Sequence, residues 1–167
     1  MDIDRIEKAV EEYAASYRRA DLPQMEVSRP YALFPDEEEP QLEVAWRWPE
    51  PWPNGLSRGV YFVLARGGGL LYVGKASIKA TIGSRLAHWF QTEKATQACK
   101  VVHPGWTDKP MYVATLAVAD DMSFEAPALE EYLIQKLSPP DNVRGRRDEP
   151  ATQPRRAPDR RNRRGGG

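Results

Sequence analysis

Two apolar runs separated by three glycines constrain the fold of this sequence more than any other feature. Residues 59–65 read Gly-Val-Tyr-Phe-Val-Leu-Ala and residues 70–73 read Leu-Leu-Tyr-Val, with Arg66 and Gly67–Gly69 between them. Runs rich in aromatic and β-branched residues predict strands, and the glycine turn predicts that they form a β-hairpin. Because neither run alternates between apolar and polar residues, we expect other elements to cover both faces of this hairpin.

Apolar periodicity predicts the remaining elements. Residues recurring at intervals of three and four indicate helices over residues 3–19, 80–90 and 126–137. A further apolar run predicts a third central strand over residues 111–118, and alternation predicts a half-buried strand over residues 41–48.

Charge and proline content divide the chain into three segments. Residues 1–57 carry thirteen acidic against six basic residues, and they end in a linker rich in proline and tryptophan. Residues 58–142 are nearly neutral and contain the hairpin, so they are the predicted central domain. Ser138-Pro139-Pro140 ends its last helix. Residues 143–167 carry nine arginines and almost no apolar residue, which predicts a disordered basic tail.

Several classes of protein are excluded at this stage. The sequence has no run of eighteen apolar residues, and its acidic N-terminus lacks the features of a secretory signal. Cys99, the only cysteine, cannot form an internal disulfide, and we interpret it as a small side chain in a helix or loop. These observations predict a cytoplasmic protein without a membrane partner.

The segment from Gly69 to Lys75 nearly matches the loop that cradles phosphate in nucleotide-binding proteins. The four residues between Gly69 and Gly74 are bulky strand formers, where a cradle needs free backbone N–H groups. Ala76 also stands where a magnesium-binding Ser or Thr is required. We therefore reject this interpretation.

Several short motifs follow one another through residues 58–142. Gly59-Val60-Tyr61 is followed eleven positions later by Tyr72-Val73-Gly74-Lys75. Arg85 on a predicted helix, Glu130 on the next helix and Asn142 come after them. In order and spacing these motifs resemble the GIY-YIG nuclease superfamily, and the second is similar to the form found in the bacterial excision-repair nuclease subunit. The sequence departs from the family in the valine of its first motif and in a longer gap before the arginine.

The resemblance implies an α/β (α+β) domain with a small, mainly antiparallel three-stranded sheet flanked by helices. It implies a metal-dependent endonuclease that hydrolyses phosphodiester bonds in nucleic acid, with DNA the expected substrate and Mg²⁺ or Mn²⁺ the cofactor. The catalytic residues would be Tyr61, Tyr72, Arg85 and Glu130, with Glu130 the metal ligand. The substrate-binding residues would be Lys75, His88 and Asn142.

The chemistry of the reaction favours Glu130 as the metal ligand. Hard cations such as Mg²⁺ take oxygen ligands and often only one or two carboxylates. At helical spacing Glu130 shares a face with Ile134 and Leu137, and a carboxylate beside an apolar stripe needs a compensating cation. Glu131 is the fallback, and in the simpler alternative Glu130 reaches water at the border of the stripe. Arg85 offers a guanidinium fork matched to phosphate oxygens, unless it lies on a solvated helix face.

The two tyrosines have a structural and a catalytic interpretation. Aromatic residues in apolar strands usually belong to the core. In the resembled family one of them is proposed to take the proton from the attacking water, and we favour Tyr72 over Tyr61. Because a tyrosine with a pKa of about 10 is a poor base at neutral pH, a metal-bound water, Lys75 or Arg85 would have to stabilise the phenolate.

The remaining polar candidates also carry alternatives. Lys75 either contacts phosphate or ends an exposed strand, and His88 either contacts phosphate or is merely exposed on its helix. Asn142 either forms hydrogen bonds within the site or is a turn residue after two prolines. We expect Gly74 to permit a close backbone approach. His103 lies in a predicted loop, too far from His88 in the chain to suggest a zinc site.

Two segments outside the central domain are candidates for nucleic-acid contact. Trp46, Trp48 and Trp52 either stack on bases or pack against the domain, which we favour. The tail either binds phosphates non-specifically or is solvated without a partner. Its arginines are Arg144, Arg146, Arg147, Arg155, Arg156, Arg160, Arg161, Arg163 and Arg164.

Two competing functions have different requirements. A catalytically inactive nucleic-acid-binding module of the same fold would need no acidic residue facing phosphate. A structural partner protein using the acidic segment 1–57 would fold that segment only with its partner. For the nuclease, a single site makes one cut, so a double-strand break requires two copies or two visits.

Overall fold

The computed structural model describes residues 2–40 and 42–144, and its mixture of helices and strands confirms the predicted α+β class. The helices are α1 (Asp2–Tyr17), α2 (Ile82–Trp89), α3 (Glu125–Leu137) and α4 (Pro140–Arg144). The strands are β1 (Tyr31–Ala32), β2 (Trp46–Arg47), β3 (Gly59–Ala65), β4 (Leu70–Ala76), β5 (Phe90–Thr92), β6 (Cys99–Val101) and β7 (Pro110–Ala117). Among the described residues, no helix has both the length and the apolar character needed to cross a membrane.

The main sheet has five strands in the order β2-β1-β7-β3-β4. The three predicted central strands are adjacent and antiparallel, with β3 between β4 and β7. The prediction of a three-stranded sheet was incomplete, because the N-terminal segment adds two short strands. Strand β1 pairs with β7 through Tyr31 and Val113, and β2 lies parallel to β1. A two-residue strand has almost no sequence pattern of its own, since it forms by pairing with the exposed edge of an existing sheet.

The hairpin of β3 and β4 contains a β-bulge that changes which side chains share a face. Val63 pairs with Tyr72 but Leu64 pairs with Leu70, so Leu71 is an extra residue on β4. Consequently Leu71 and Tyr72, although adjacent in sequence, both pack against the same buried cluster. Bulges often occur beside active sites, where they redirect a side chain.

Two buried clusters cover the two faces of the sheet. Helices α1 and α3 pack on one face, and α2, the β5–β6 hairpin and the tryptophan-rich linker pack on the other. All seven residues of β3 are buried, which confirms the prediction that other elements cover both faces of the hairpin. Trp48 and Trp52 pack against the second cluster, as favoured for this linker.

Other boundaries differ from the predictions. The strand expected over residues 41–48 is reduced to Trp46–Arg47, and the β5–β6 hairpin was not predicted. Cys99 is buried in β6 rather than in a helix or loop. Helix α3 ends before Ser138, as predicted, but α4 begins at Pro140 and continues past residue 142, where disorder was expected. Proline is tolerated in the first turn of a helix because its missing N–H is not needed there. The rest of the predicted tail, residues 145–167, lies outside the described residues.

Candidate active site

A cavity of about 490 Å³ opens beside the edge strand β4, between α2 and α3. It brings together residues that are up to 69 positions apart in the sequence. Two unpredicted residues, Trp89 and His103, also line it. The predicted site residues among its walls are Tyr61, Tyr72, Lys75, Arg85, His88 and Glu130.

The two tyrosines meet over a glycine. Tyr61 on β3 pairs with Gly74 on β4, and the centroids of the Tyr61 and Tyr72 rings are 6.1 Å apart. A Cβ atom at position 74 would lie 2.5 Å from the Tyr61 hydroxyl oxygen and 2.7 Å from a ring carbon of Tyr72. Any side chain there would displace both rings, so the structure confirms that Gly74 permits a close approach.

Burial makes both tyrosines weaker acids. It is the largest cause of the raised pKa of Tyr61, and the nearby Tyr72 raises that pKa further. The pKa of Tyr72 is also raised, first by burial and then by the charge of Glu130. A hydrogen bond with Tyr61 and the charge of Arg85 act in the opposite direction on Tyr72. With the protein's own groups alone, both phenols are therefore neutral at physiological pH.

Glu130 and Lys75 form an ion pair at the edge of the cavity. Lys75 lies opposite Val60 in the hairpin, and its Nζ donates to Oε2 of Glu130 on α3. The Glu130 side chain is 13% exposed and that of Lys75 is 39% exposed. The cation expected beside the Glu130 carboxylate is thus supplied by Lys75. Glu131 is exposed and accepts a hydrogen bond from Gln135, so Glu130 is the carboxylate that lines the cavity.

The carboxylate content of the cavity bears on which metal it suits. Within residues 2–40 and 42–144 no group of three or more His, Cys, Asp or Glu side chains is arranged to hold a metal ion. Mg²⁺ needs fewer protein ligands, since it commonly binds one or two carboxylates, substrate phosphate oxygens and water. Lys75 bonds only Oε2 of Glu130, and among the described residues Oε1 accepts no hydrogen bond. One carboxylate with an open oxygen in a polar cavity fits Mg²⁺ or Mn²⁺ better than Zn²⁺.

Helix α2 carries Arg85 and is held firmly at its start. Thr81 caps the helix in a reciprocal pair of hydrogen bonds with Ser84. The backbone N–H of Gly83 also donates to the Gly55 carbonyl at 2.8 Å. Arg85 itself is exposed, and within the described part of the chain its guanidinium makes no hydrogen bond or salt bridge. It is therefore available to an anion in the cavity.

The end of α2 contributes His88 and Trp89. His88 Nδ1 lies 2.6 Å from the Ser84 carbonyl oxygen, which can only accept, so Nδ1 carries the proton and Nε2 of the neutral ring is an acceptor. Trp89 Nε1 donates to the Tyr61 hydroxyl oxygen at 3.1 Å. Trp89 thereby occupies an acceptor site of the Tyr61 hydroxyl. Trp89 makes no hydrogen bond to Tyr72.

Asn142 has a role that neither sequence interpretation anticipated. Its Oδ1 accepts from the backbone N–H of Val73 at 2.8 Å, and its Nδ2 donates to the Val73 carbonyl at 2.8 Å. Strand β4 is the edge of the sheet, and Asn142 takes the place of a neighbouring strand at Val73. Asn142 is absent from the cavity wall. Its side chain is committed to Val73, the neighbour of Tyr72 on β4.

Two of the cavity's residues carried little sequence signal. Trp89 resembles a core residue at helical spacing, and His103 lies in an irregular segment with no periodicity. Their rings are 5.0 Å apart in the structure. The concentration of His103, Pro104, Gly105 and Trp106 within four residues was the one feature that marked this loop.

Comparison with known proteins yields no match for this chain, whether with protein-family models, with curated proteins or with solved structures.

Proposed function

We propose that this protein is a metal-dependent endonuclease that hydrolyses phosphodiester bonds in nucleic acid, with DNA the expected substrate. The observation that carries the proposal is the shared cavity of Glu130, Arg85, Lys75 and the two tyrosines. Phosphodiester hydrolysis requires neutralisation of the phosphate charge, a group that orients the phosphate and a group that accepts a proton from water. The cavity contains a residue suited to each task. The motif resemblance to GIY-YIG nucleases supports the same reaction.

The charge of the cavity favours a phosphate. Arg85 and Lys75 contribute two positive charges against the single negative charge of Glu130. Arg85 is the only one of the three without a partner in the described residues, so it binds phosphate oxygens without first breaking an ion pair. Its planar fork also orients the phosphate, which a point charge does less well.

Glu130 would hold the metal through its open carboxylate oxygen. A divalent cation held there would neutralise charge on the phosphate and make a water a better nucleophile. Lys75 balances the charge of the Glu130 carboxylate in the free protein, and both side chains line the cavity. The ion pair thus compensates the negative charge of Glu130 in a partly buried site, where an unpaired carboxylate would be unfavourable.

Tyr72 is the preferred proton acceptor. As the water oxygen bonds to phosphorus, the ester bond to the leaving oxygen breaks, the water proton passes to Tyr72, and the leaving oxygen takes a proton from solvent. Tyr61 is less suited because it is buried, whereas Tyr72 is partly exposed. Since the pKa of Tyr72 is raised, its phenolate forms near neutral pH only when the cavity gains positive charge.

The decisive test compares two neighbouring glutamates on α3. Nicking of supercoiled plasmid is measured with Mg²⁺ or Mn²⁺ for the unaltered chain, for Glu130→Ala and for the matched control Glu131→Ala. We expect metal-dependent nicking that is lost in Glu130→Ala and retained in Glu131→Ala, because only Glu130 lines the cavity. Equal activity in Glu130→Ala and the unaltered chain would refute the assignment of Glu130.

The competing candidate is a nucleic-acid-binding module of the same fold without catalysis. The Lys75–Glu130 ion pair and the raised pKa values of Tyr61 and Tyr72 favour this binding module. A carboxylate paired with a lysine and two protonated phenols suffice for binding. It predicts plasmid binding without nicking under either metal, with the binding weakened in Arg85→Ala.

A further inference from the structure

A second, smaller pocket adjoins the candidate active site. Its volume is about 150 Å³, and it shares Tyr72, Trp89 and His103 with the larger cavity. Pro104, Gly105, Trp106 and Asp141 complete its walls. Drug-sized ligands occupy pockets of roughly 300–1,000 Å³, so this pocket suits a single ring system. Whatever it binds lies directly beside the group held by Arg85 and Glu130.

The walls of this small pocket are aromatic rings in edge contact. The centroids of Trp89 and Trp106 are 5.2 Å apart at 60°, and those of Tyr72 and Trp106 are 5.9 Å apart at 89°. His103 lies against Trp89 at 55°. Phe90, outside the small pocket, stacks nearly parallel on Trp106, with the centroids 6.4 Å apart at 15°. The small pocket is therefore walled by both edges and faces of aromatic rings. Exposed His103 leaves the rim of the small pocket open to a flat heterocycle.

One polar group in the small pocket has no partner. The indole N–H of Trp106 is buried without a hydrogen bond in the described part of the chain. Indole N–H groups usually find a partner when buried, so this donor is unusual. Because this N–H is enclosed, a carbonyl oxygen on a bound heterocycle would satisfy it only after the Trp106 ring turns toward the small pocket. Asp141 at the rim is held by the Thr107 backbone N–H at 3.1 and 3.2 Å, which fixes the loop that carries Trp106.

We propose that the small pocket binds one nucleobase turned out of the strand next to the scissile phosphate. This inference rests on the proposed function, because it takes the phosphate to lie in the larger cavity. Turning a base out of a duplex costs unstacking and unpairing energy, and the cost is least for a base that is already unpaired. The favoured substrate is therefore nucleic acid with an unpaired nucleotide at the cut, rather than continuous duplex.

Binding without metal tests this inference separately from cleavage. Fluorescence anisotropy in EDTA compares a fully paired duplex with the same duplex carrying one unpaired nucleotide. Stacking on an aromatic side chain contributes roughly 1–3 kcal/mol per base, so we expect the unaltered chain to bind the unpaired-nucleotide duplex about tenfold more tightly. In Trp106→Ala we expect this ratio to fall to about twofold or less. The matched control, Trp46→Ala, removes a tryptophan outside both cavities and should retain the full ratio.

A second variant guards against loss of folding. His103 is exposed, so His103→Ala should melt at the same temperature as the unaltered chain and still lower the ratio. An unchanged ratio in both Trp106→Ala and His103→Ala would overturn the inference, as would equal binding of the two duplexes by the unaltered chain. If the plasmid is nicked but the two duplexes bind equally, the nuclease proposal is retained and the base-pocket proposal is rejected. If nicking fails and the ratio depends on Trp106, the base pocket belongs to a binding module.

Discussion

Glu125 and Glu130 lie five residues apart on helix α3, and each pairs with one cation, yet their surroundings differ. Glu125 binds Arg18 through contacts of 2.5 and 3.2 Å, and both side chains are about 95% buried, with exposures of 5% and 6%. Arg18 also donates to the Pro23 carbonyl at 2.6 Å. The pair at Glu130 is more exposed and borders a cavity of about 490 Å³.

The difference between the two pairs lies in how fully their hydrogen-bonding capacity is used. In the region of α1 and α3 around Glu125, both carboxylate oxygens are occupied, and the pair joins segments 107 residues apart. In the cavity, one oxygen of Glu130 and the whole guanidinium of Arg85 are open among the described residues. In a saturated buried pair each charge depends on its partner, whereas an unsaturated pair in a cavity retains the capacity to bind a ligand.

The largest effect should follow from breaking the saturated pair. Glu125→Ala leaves the Arg18 guanidinium buried without its counterion, and removal of one partner of such a pair costs about 3–5 kcal/mol. We expect the free energy of unfolding, measured by urea denaturation, to fall by about that amount. The matched change Glu130→Ala should lower it by less than about 1 kcal/mol, because the Lys75 charge is closer to solvent. Equal losses in the two variants would contradict the distinction between them.

The next effect concerns the open guanidinium of the cavity. Arg85→Lys keeps the positive charge but loses the fork that holds two phosphate oxygens. We expect the rate of metal-dependent nicking to fall about 10- to 100-fold, with little change in melting temperature because Arg85 is exposed. Arg29→Lys, at an exposed salt bridge with Glu43, serves as the control and should nick at the unaltered rate. A normal nicking rate in Arg85→Lys would show that only the positive charge of Arg85, and not its fork, contributes to cleavage.

The pH dependence of cleavage tests the proton acceptor. A general base acts in its deprotonated form, and burial raises the pKa of Tyr72, so the active fraction should increase as pH rises. We expect the rate to rise by up to about tenfold per pH unit between about pH 7 and 9, without a plateau. In Tyr72→Phe the rate should be lower and its pH dependence flatter. If Tyr61→Phe alone flattens the profile, the proton acceptor is Tyr61.

The smallest effect should come from changing Asn142. Both polar atoms of its side-chain amide are hydrogen-bonded, and it lies beside the cavity strand β4. Asn142→Ala removes two hydrogen bonds to the Val73 backbone at the edge of the sheet. Because this edge is partly exposed, we expect a loss of about 1 kcal/mol in stability and a few-fold decrease in nicking. Amide hydrogen exchange at Val73 should become faster, which a direct substrate contact by Asn142 would not produce. Unchanged exchange at Val73 would argue against a positioning role.

The central hairpin was predictable because its signals are local. The runs of β3 and β4, the glycine turn and the burial of both faces follow from residues that are neighbours in the chain. Helical periodicity likewise distinguished Glu130 from Glu131, since it places only the former beside the apolar stripe of α3. The need for glycine at position 74 was also expected, although the two tyrosine rings that would clash there were not.

Tertiary structure alone decided how these elements meet. Lys75 pairs with Glu130 across 55 residues because α3 packs over the edge strand, and Asn142 completes that edge across 69 residues. The bulge places Leu71 on the same face of the sheet as Tyr72, which strict strand alternation would not predict. The loop of His103 and Trp106 has no periodicity, so only its contacts with α2 reveal its place. Periodic patterns report which face of an element is buried, but the partner of that face depends on distant parts of the chain.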